Sequence, residues 1–322
     1  MINRKKLMPI LLLLCVLGGA EGLSVQAEET AGPSGNPWQL VFQEEDIYKD
    51  GYMEEIDGMT TEVVWCENGT RKIFGKFYYP ENFDQWEKYP VVIMCHGFSS
   101  SYKSFEKREW TQILPEKGYV CYSFDFCGGS EKSLSDMDFT EMSALTEVED
   151  LEAVTDFVQK KRFCDDNQVF YMGSSQGGLV CAMEAAKRDG DIAGMVLLYP
   201  GFCLPEIVSE ACPDPDQVQE DTVTVMRRQV GLQYVTDVQD LDVMEEISGY
   251  TGDVLILHGI SDKLVPYEGS VEALEGPYAD SDSELVLITG SNSGHGFDSY
   301  DSYGREYARA AVLEFLGKHI GS

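Results

Sequence analysis

One stretch, Val169-Phe170-Tyr171-Met172-Gly173-Ser174-Ser175-Gln176-Gly177-Gly178, constrains the fold of this chain more than any other. Its first four residues are apolar or aromatic and predict a buried strand; Leu179 to Lys187 predicts a helix directly after the small-residue knot. A strand that turns straight into a helix brings backbone against backbone. Glycine two positions before the turn (Gly173) and two after it (Gly177) leaves space where a Cβ would clash. Ser175, between them, is then held in a strained conformation with its side chain exposed at the strand end. Ser174 is the rival, but Met172 and Gln176, its neighbours at the same spacing, are not small. The blander reading is a Gly/Ser turn between two ordinary elements, and it yields to the Ser175 reading only if partners for that hydroxyl exist elsewhere.

The rest of the chain repeats the same alternation. Val91 to Cys95, Tyr119 to Phe126, Gly194 to Leu198, Val254 to Leu257 and Glu284 to Ile288 predict strands. Helices are expected at Ser104–Gly118, from Thr146 (a capping box with Glu149, then Val148, Leu151, Val154 and Val158 at helical spacing), around Gly269–Leu274 and at Ser302–Leu316. Strands that are apolar on both faces and alternate with helices predict an α/β domain around a largely parallel sheet. Thr61–Cys66 and Arg71–Tyr79, joined through Asn68-Gly69, predict an antiparallel hairpin at its edge. Residues 201–251 interrupt the pattern with Pro205, Pro213 and Pro215, a helix-like Val218–Arg228 and an acidic Leu241–Ile247. They are expected to be an inserted lid. Cys203 and Cys212 are close enough in sequence to suggest a disulfide.

Length and charge bound the function. The 322 residues are 43% apolar, enough for one large domain. Arg4, Lys5 and Lys6, the apolar run Leu7–Ala20 and Val25-Gln26-Ala27 have the layout of a secretory signal peptide over 1–27, too short for a comfortable membrane span. Cys15 could mark a lipoprotein, but Leu14 fits that poorly. A flexible acidic leader is expected over 28–58 and the folded domain over 59–322. Cleavage after Ala27 removes three basic residues and one acidic one (Glu21), so the formal charge of −32 becomes −34. Nucleic acid and anionic membranes are poor partners for such a surface. No cysteine or histidine spacing suggests a metal site.

Ser175 needs a base, because a serine hydroxyl is a weak nucleophile until its proton is taken. Of the four histidines, His96 and His258 sit at strand ends and His319 lies past the last helix. His295, in Ser293-Gly294-His295-Gly296-Phe297, occupies a flexible loop after the last strand and fits the order Ser, acid, His. The acid should lie on a loop after a strand between them. Asp262 does; Asp253 opens its strand at the wrong end. The backbone N–H of Gln176, first in the helix after the turn, and that of Phe98, after His96-Gly97, are the expected donors to the oxyanion of a tetrahedral intermediate.

Together these pieces resemble the α/β-hydrolase superfamily over about residues 60–319. His96-Gly97-Phe98, Asp125-Phe126-x-Gly128, Gly173-x-Ser175-Gln176-Gly177-Gly178 and His258-Gly259-x-x-Asp262-x-x-Val265-Pro266 are similar to the bacterial cinnamoyl/feruloyl-esterase-like group. The resemblance implies a cofactor-free serine esterase acting on small or polysaccharide-linked carboxylic esters, often aryl esters, with a lid shaping the acyl pocket. Ser174 stands where that group often has histidine, and the lid is unusually acidic. A serine aminopeptidase-like peptidase of the same fold is the alternative, and a binding protein on a retired hydrolase scaffold a third.

Overall fold

Val169 and Tyr171 enter one apolar layer while Phe170 and Met172 enter the other, which is why the strand before the turn is apolar without alternation. The computed structural model describes residues 47–56, 58–299 and 303–320. The leader expected over 1–27, with Cys15, and most of the polar stretch after it lie outside the described residues.

Among the described residues nine strands form one sheet: β1 (Met53–Ile56), β2 (Met59–Asn68), β3 (Arg71–Tyr78), β4 (Tyr89–Cys95), β5 (Val120–Phe124), β6 (Cys164–Ser174), β7 (Gly194–Leu198), β10 (Val254–Gly259) and β11 (Glu284–Ile288). A separate hairpin is made by β8 (Thr222–Val225) and β9 (Arg228–Gly231). The spatial order of the sheet is β1-β2-β3-β5-β4-β6-β7-β10-β11. Pairing is antiparallel from β1 to the β3/β5 contact and parallel from β5 to β11. This is the α/β-hydrolase arrangement: a mostly parallel sheet with an antiparallel edge.

The helices are α1 (Lys103–Lys107), α2 (Trp110–Ile113), α3 (Ala144–Gln159), α4 (Gln176–Lys187), α5 (Leu204–Ala211), α6 (Leu232–Thr236), α7 (Val243–Glu246), α8 (Glu268–Glu275) and α9 (Tyr303–Lys318). Helices α3 and α4 pack on one face of the sheet through Val148, Leu151, Leu179 and Met183. On the other face, α1, α2 and α9 pack through Phe105, Trp110, Val312 and Phe315.

Several local expectations need correction. The single helix expected over Ser104–Gly118 is broken into α1, α2 and a 3₁₀ turn, because Glu109 takes φ 66° between them. Helix α3 starts one turn before Thr146. Ser143 is its N-cap: its hydroxyl accepts from the Thr146 amide (3.3 Å), and the Thr146 hydroxyl accepts from the Ser143 amide (2.9 Å). Glu149 pairs instead with Arg71 at 3.1 Å. The two overlapping cap patterns satisfy the same rule, and only the earlier one buries Ala144. The helix-like Val218–Arg228 is in fact mostly the β8–β9 hairpin. Its strands are rich in β-branched residues, and Met226 (φ 47°) and Arg227 (φ 65°) form the turn.

Cys203 and Cys212 are both free thiols. They cap opposite ends of α5, so a rise of about 1.5 Å per residue holds them roughly 13 Å apart, twice the reach of a disulfide. Met53–Ile56, read within the leader, is the edge strand β1. Asn68 does not sit in the hairpin turn; it pairs with Arg71, and its side-chain amide donates to buried Asp150 at 2.9 Å. Residues 201–251 lie between the adjacent parallel strands β7 and β10, as an insertion. Among the described residues no helix is long and apolar enough to cross a membrane.

Candidate active site

The parallel strands deliver four loops to the same end of the sheet, the side where open α/β sheets place their ligands. At the end of β6 the chain passes through Ser175 into α4. Ser175 takes φ 55° and ψ −123°, a region an L-residue enters only under constraint. Its amide donates to the Leu198 carbonyl (2.9 Å), and its own carbonyl accepts from Gly178 and Gly201. The glycines are required by backbone proximity. A Cβ on Gly173 would lie 2.3 Å from the Gly177 carbonyl oxygen, and one on Gly177 2.3 Å from that of Cys95. Ser174 is buried, whereas Ser175 is partly open.

The structure brings Ser175, His295 and Asp262 together. His295 Nε2 lies 3.0 Å from Ser175 Oγ, and His295 Nδ1 lies 2.7 Å from Asp262 Oδ2. A carboxylate accepting at Nδ1 fixes the tautomer that leaves Nε2 free to accept the hydroxyl proton. Asp262 Oδ1 accepts the Leu264 and Val265 amides at 3.0 and 2.9 Å. Burial works against the charge on Asp262, but the His258 and His295 rings and the Val265 amide outweigh it and hold the carboxyl well below the usual range. It is therefore ionised at neutral pH.

Of the other three histidines, His96 and His319 are engaged elsewhere and His258 borders Asp262. His96 is fully buried; its Nδ1–H donates to the Gly97 carbonyl (2.9 Å) and its Nε2 accepts from the Phe126 amide (3.2 Å), and burial keeps its pKa low. His319 bridges the Phe315 carbonyl and Asp253 near the far end of the sheet. His258 does more than end a strand. Its Nε2–H donates to the Val265 carbonyl (3.0 Å), its Nδ1 meets the Ser270 hydroxyl (2.7 Å), and the ring edge lies 3.6 Å from Asp262 Oδ2. It ties the acid loop to α8.

Gln176 and Phe98 flank Ser175. Among the described residues neither backbone amide donates to a protein acceptor, so both are available to a ligand oxygen. Gly97 lets the Phe98 loop approach: a Cβ there would lie 3.0 Å from Ser175 Cβ.

Sequence reasoning missed two supports of this site. Beneath the His295 loop, buried Asp298 accepts from Tyr199 OH (2.9 Å) and Trp110 Nε1 (3.2 Å), and the Tyr199 ring sits edge-on to His295 at 4.8 Å. Beside the turn, buried Glu147 and Tyr234 both bond the Gln176 side chain. No local pattern signals either, because each joins elements distant in sequence. The insertion borders the site and helps to line an open hollow of about 720 Å³, whose walls include Phe202, Cys203, Glu206, Asp240, Asp242 and Pro266.

Known proteins share the fold that carries this site. No curated protein matches the chain. Among solved structures, Est1E from Butyrivibrio proteoclasticus, determined with ferulic acid bound, is 27% identical with a TM-score of 0.69, over 80% of this chain and 100% of that one. Acetyl xylan esterase 1 from Thermoanaerobacterium sp. (17% identity, TM-score 0.58, 84% of this chain and 88% of that one) shares the fold. So does a putative dipeptidyl aminopeptidase IV from Bacteroides ovatus (15%, TM-score 0.61), matched over 84% of this chain but 36% of its own. The model of the prolyl oligopeptidase family matches residues 104–322. With that match, the fold and these relatives, the chain is a hydrolase that belongs to the prolyl oligopeptidase family and resembles the feruloyl-esterase-like α/β-hydrolases.

Proposed function

We propose that the protein is a secreted serine esterase that forms an acyl-enzyme on Ser175. The observation that carries this reading is the continuous chain from Ser175 Oγ through the His295 ring to Asp262. As Oγ attacks the acyl carbon, its proton passes to His295 Nε2, and Asp262 stabilises the imidazolium. The Phe98 and Gln176 amides hold the developing oxyanion; losing one such donor costs roughly 3 kcal/mol of transition-state stabilisation. His295 then gives the proton to the leaving alcohol, and water repeats the sequence to release the acid.

An aromatic acyl group suits the surroundings of the oxyanion donors. The half-buried Phe98 ring packs 5.5 Å from Phe139 and 5.3 Å from Tyr234, and Est1E binds ferulic acid. Secretion rests on the leader read in residues 1–27; a mature protein beginning at Glu28 in the culture medium is the expected result of N-terminal sequencing.

The test is a panel of acetyl, butyryl and octanoyl p-nitrophenyl esters, methyl ferulate and an aminoacyl-coumarin amide, with Ser175→Ala alongside. We expect a preference for methyl ferulate and a loss of about 10⁴-fold or more in kcat for Ser175→Ala. A Ser175→Ala variant that hydrolyses esters at the wild-type rate refutes the assignment. The family match favours a second reading, an aminopeptidase-like peptidase; the amide cleaved faster than the esters would establish it instead.

A further inference from the structure

We propose that Glu147 and Tyr234 are positioning residues that clamp the Gln176 side chain from opposite sides and so fix the oxyanion-binding turn to the inserted segment. This rests on the serine-hydrolase reading of the site and assigns it a support contributed by the insertion.

The geometry is a buried chain of three side chains from three parts of the fold. Gln176 Nε2 donates to Glu147 Oε2 (2.8 Å), and the Tyr234 hydroxyl donates to Gln176 Oε1 (2.5 Å). Glu147 and Tyr234 are fully buried and Gln176 nearly so. The carboxamide is thus held at both ends, and the residue carrying it supplies the backbone N–H beside Ser175. The Tyr234 ring also packs on Phe98, whose amide is the second donor. One residue of the insertion therefore touches both residues of the hole, one by hydrogen bond and one by ring contact.

The insertion is anchored where this requires it. Gly231, which precedes α6, lies against the Thr140 carbonyl so closely that a Cβ would come within 1.9 Å of it. Asp237, which follows α6, accepts from the hydroxyl of Ser143, the N-cap of α3, at 2.6 Å. Helix α6 is thus held at one end against the loop before α3 and at the other on the N-cap of α3, the helix that carries Glu147. This part of the insertion braces the turn through Tyr234. Among the described residues Glu147 Oε1 is buried with no partner, an expensive choice beside apolar alternatives.

The experiment compares Tyr234→Phe, Glu147→Ala, Glu147→Gln and Tyr234→Phe/Glu147→Ala with wild type. Fluorophosphonate labelling of wild-type Ser175 comes first, because an unlabelled wild type overturns the serine-hydrolase reading and this proposal with it. Tyr234→Phe keeps the ring against Phe98 and removes only the hydroxyl. We expect kcat on p-nitrophenyl butyrate to fall roughly ten-fold with KM changed less than about two-fold. An aryl trifluoromethyl ketone, whose adduct places an oxyanion in the hole, should lose affinity in proportion to kcat/KM, while product carboxylate binding stays the same. Glu147→Ala should behave likewise and Glu147→Gln, which keeps an acceptor for Gln176, should recover most of the loss. The double variant should be little worse than either single one, since both act through one side chain. If Tyr234→Phe folds poorly, the Glu147→Ala and Glu147→Gln pair carries the test. A labelled wild type whose variants lose thermal stability but keep kcat and ketone affinity overturns the positioning role alone.

Discussion

The reactive end of the sheet and the insertion beside it are specified by different kinds of interaction. Ser175, Asp262 and His295 stand on turns whose shape is set by backbone against backbone: Gly173 against Gly177, Gly177 against Cys95, Gly259 against Ser293. The insertion makes such a contact at Gly231 against Thr140 and otherwise holds its place beside the site through a few side chains, Tyr234 on Gln176 and Asp237 on Ser143. A backbone contact cannot be traded for another residue type, whereas a side-chain contact can. At the sheet end, and at Gly231, a methyl group should therefore be ruinous, whereas at the insertion's side-chain contacts substitution should tune activity.

Gly177→Ala probes the first half of that contrast with the larger effect. The added Cβ would meet the Cys95 and His96 carbonyl oxygens at 2.3 and 2.4 Å, both backbone atoms that cannot rotate away. Strand β4 and the turn must separate, at a cost of several kcal/mol, on the order of the most damaging core substitutions. We expect little soluble protein, and in what remains a lowered denaturant midpoint and no fluorophosphonate labelling. Gly190→Ala is the control: φ is +90° there but nothing lies within 4 Å, so the change should cost only about 1–2 kcal/mol. Equal midpoints for the two variants would remove the distinction between crowding and conformational strain.

The same contrast explains what the sequence revealed. The fold was legible because β4, β6, β7 and β10 are apolar on both faces, and the site because a small-residue turn, an Asp and a His recur just past strand ends. Those are local patterns. Glu109 and the Met226-Arg227 pair take left-handed conformations without glycine or asparagine to announce them, so one helix was read too long and a hairpin was read as a helix. Glu147 meets Gln176 across 29 residues and Gln176 meets Tyr234 across 58; spacing carries no trace of such pairings. In sequence Glu147 stands only between Thr146 and Val148 at a helix start.

Burial gives Glu147 a second consequence, in stability. Desolvation pushes its carboxyl from the ordinary 4.5 up to about 8; the Gln176 amide pulls the other way, and nearby Asp150 adds to the rise. Tyr234 on α6 and Cys95 at the end of β4 face it as well. Between those two values the folded protein keeps a proton that the unfolded chain has released. Its contribution is thus fully present below pH 4.5 and is lost as pH rises through 8. Glu147→Gln removes the titration. Relative to wild type its stability should be unchanged near pH 4 and improve with a slope of at most about 1.4 kcal/mol per pH unit, levelling off above pH 8. Urea midpoints across that range check it, and a constant difference between the two proteins would show that Glu147 titrates normally.

The smallest expected effect belongs to the acidic rim of the insertion. Glu206, Asp240, Asp242 and Glu272 line the hollow beside the Asp262 loop, and exposed charges act at a distance only weakly in salt. Their field should oppose a negatively charged ester on its way in without touching the chemistry. Asp240→Asn combined with Asp242→Asn removes two charges, and Asn can still cap α7 where the Asp242 side chain accepts from the Glu245 amide. For an ester carrying a carboxylate on its alcohol, kcat/KM should rise a few-fold at low ionic strength, on the order of one weak ion pair. The gain should vanish at high salt, and methyl ferulate, uncharged, should respond to neither change. A gain that persists in high salt, or that appears equally with methyl ferulate, would mean that the rim shapes the pocket rather than its potential, and that the insertion's side chains act by contact in the same way as Tyr234.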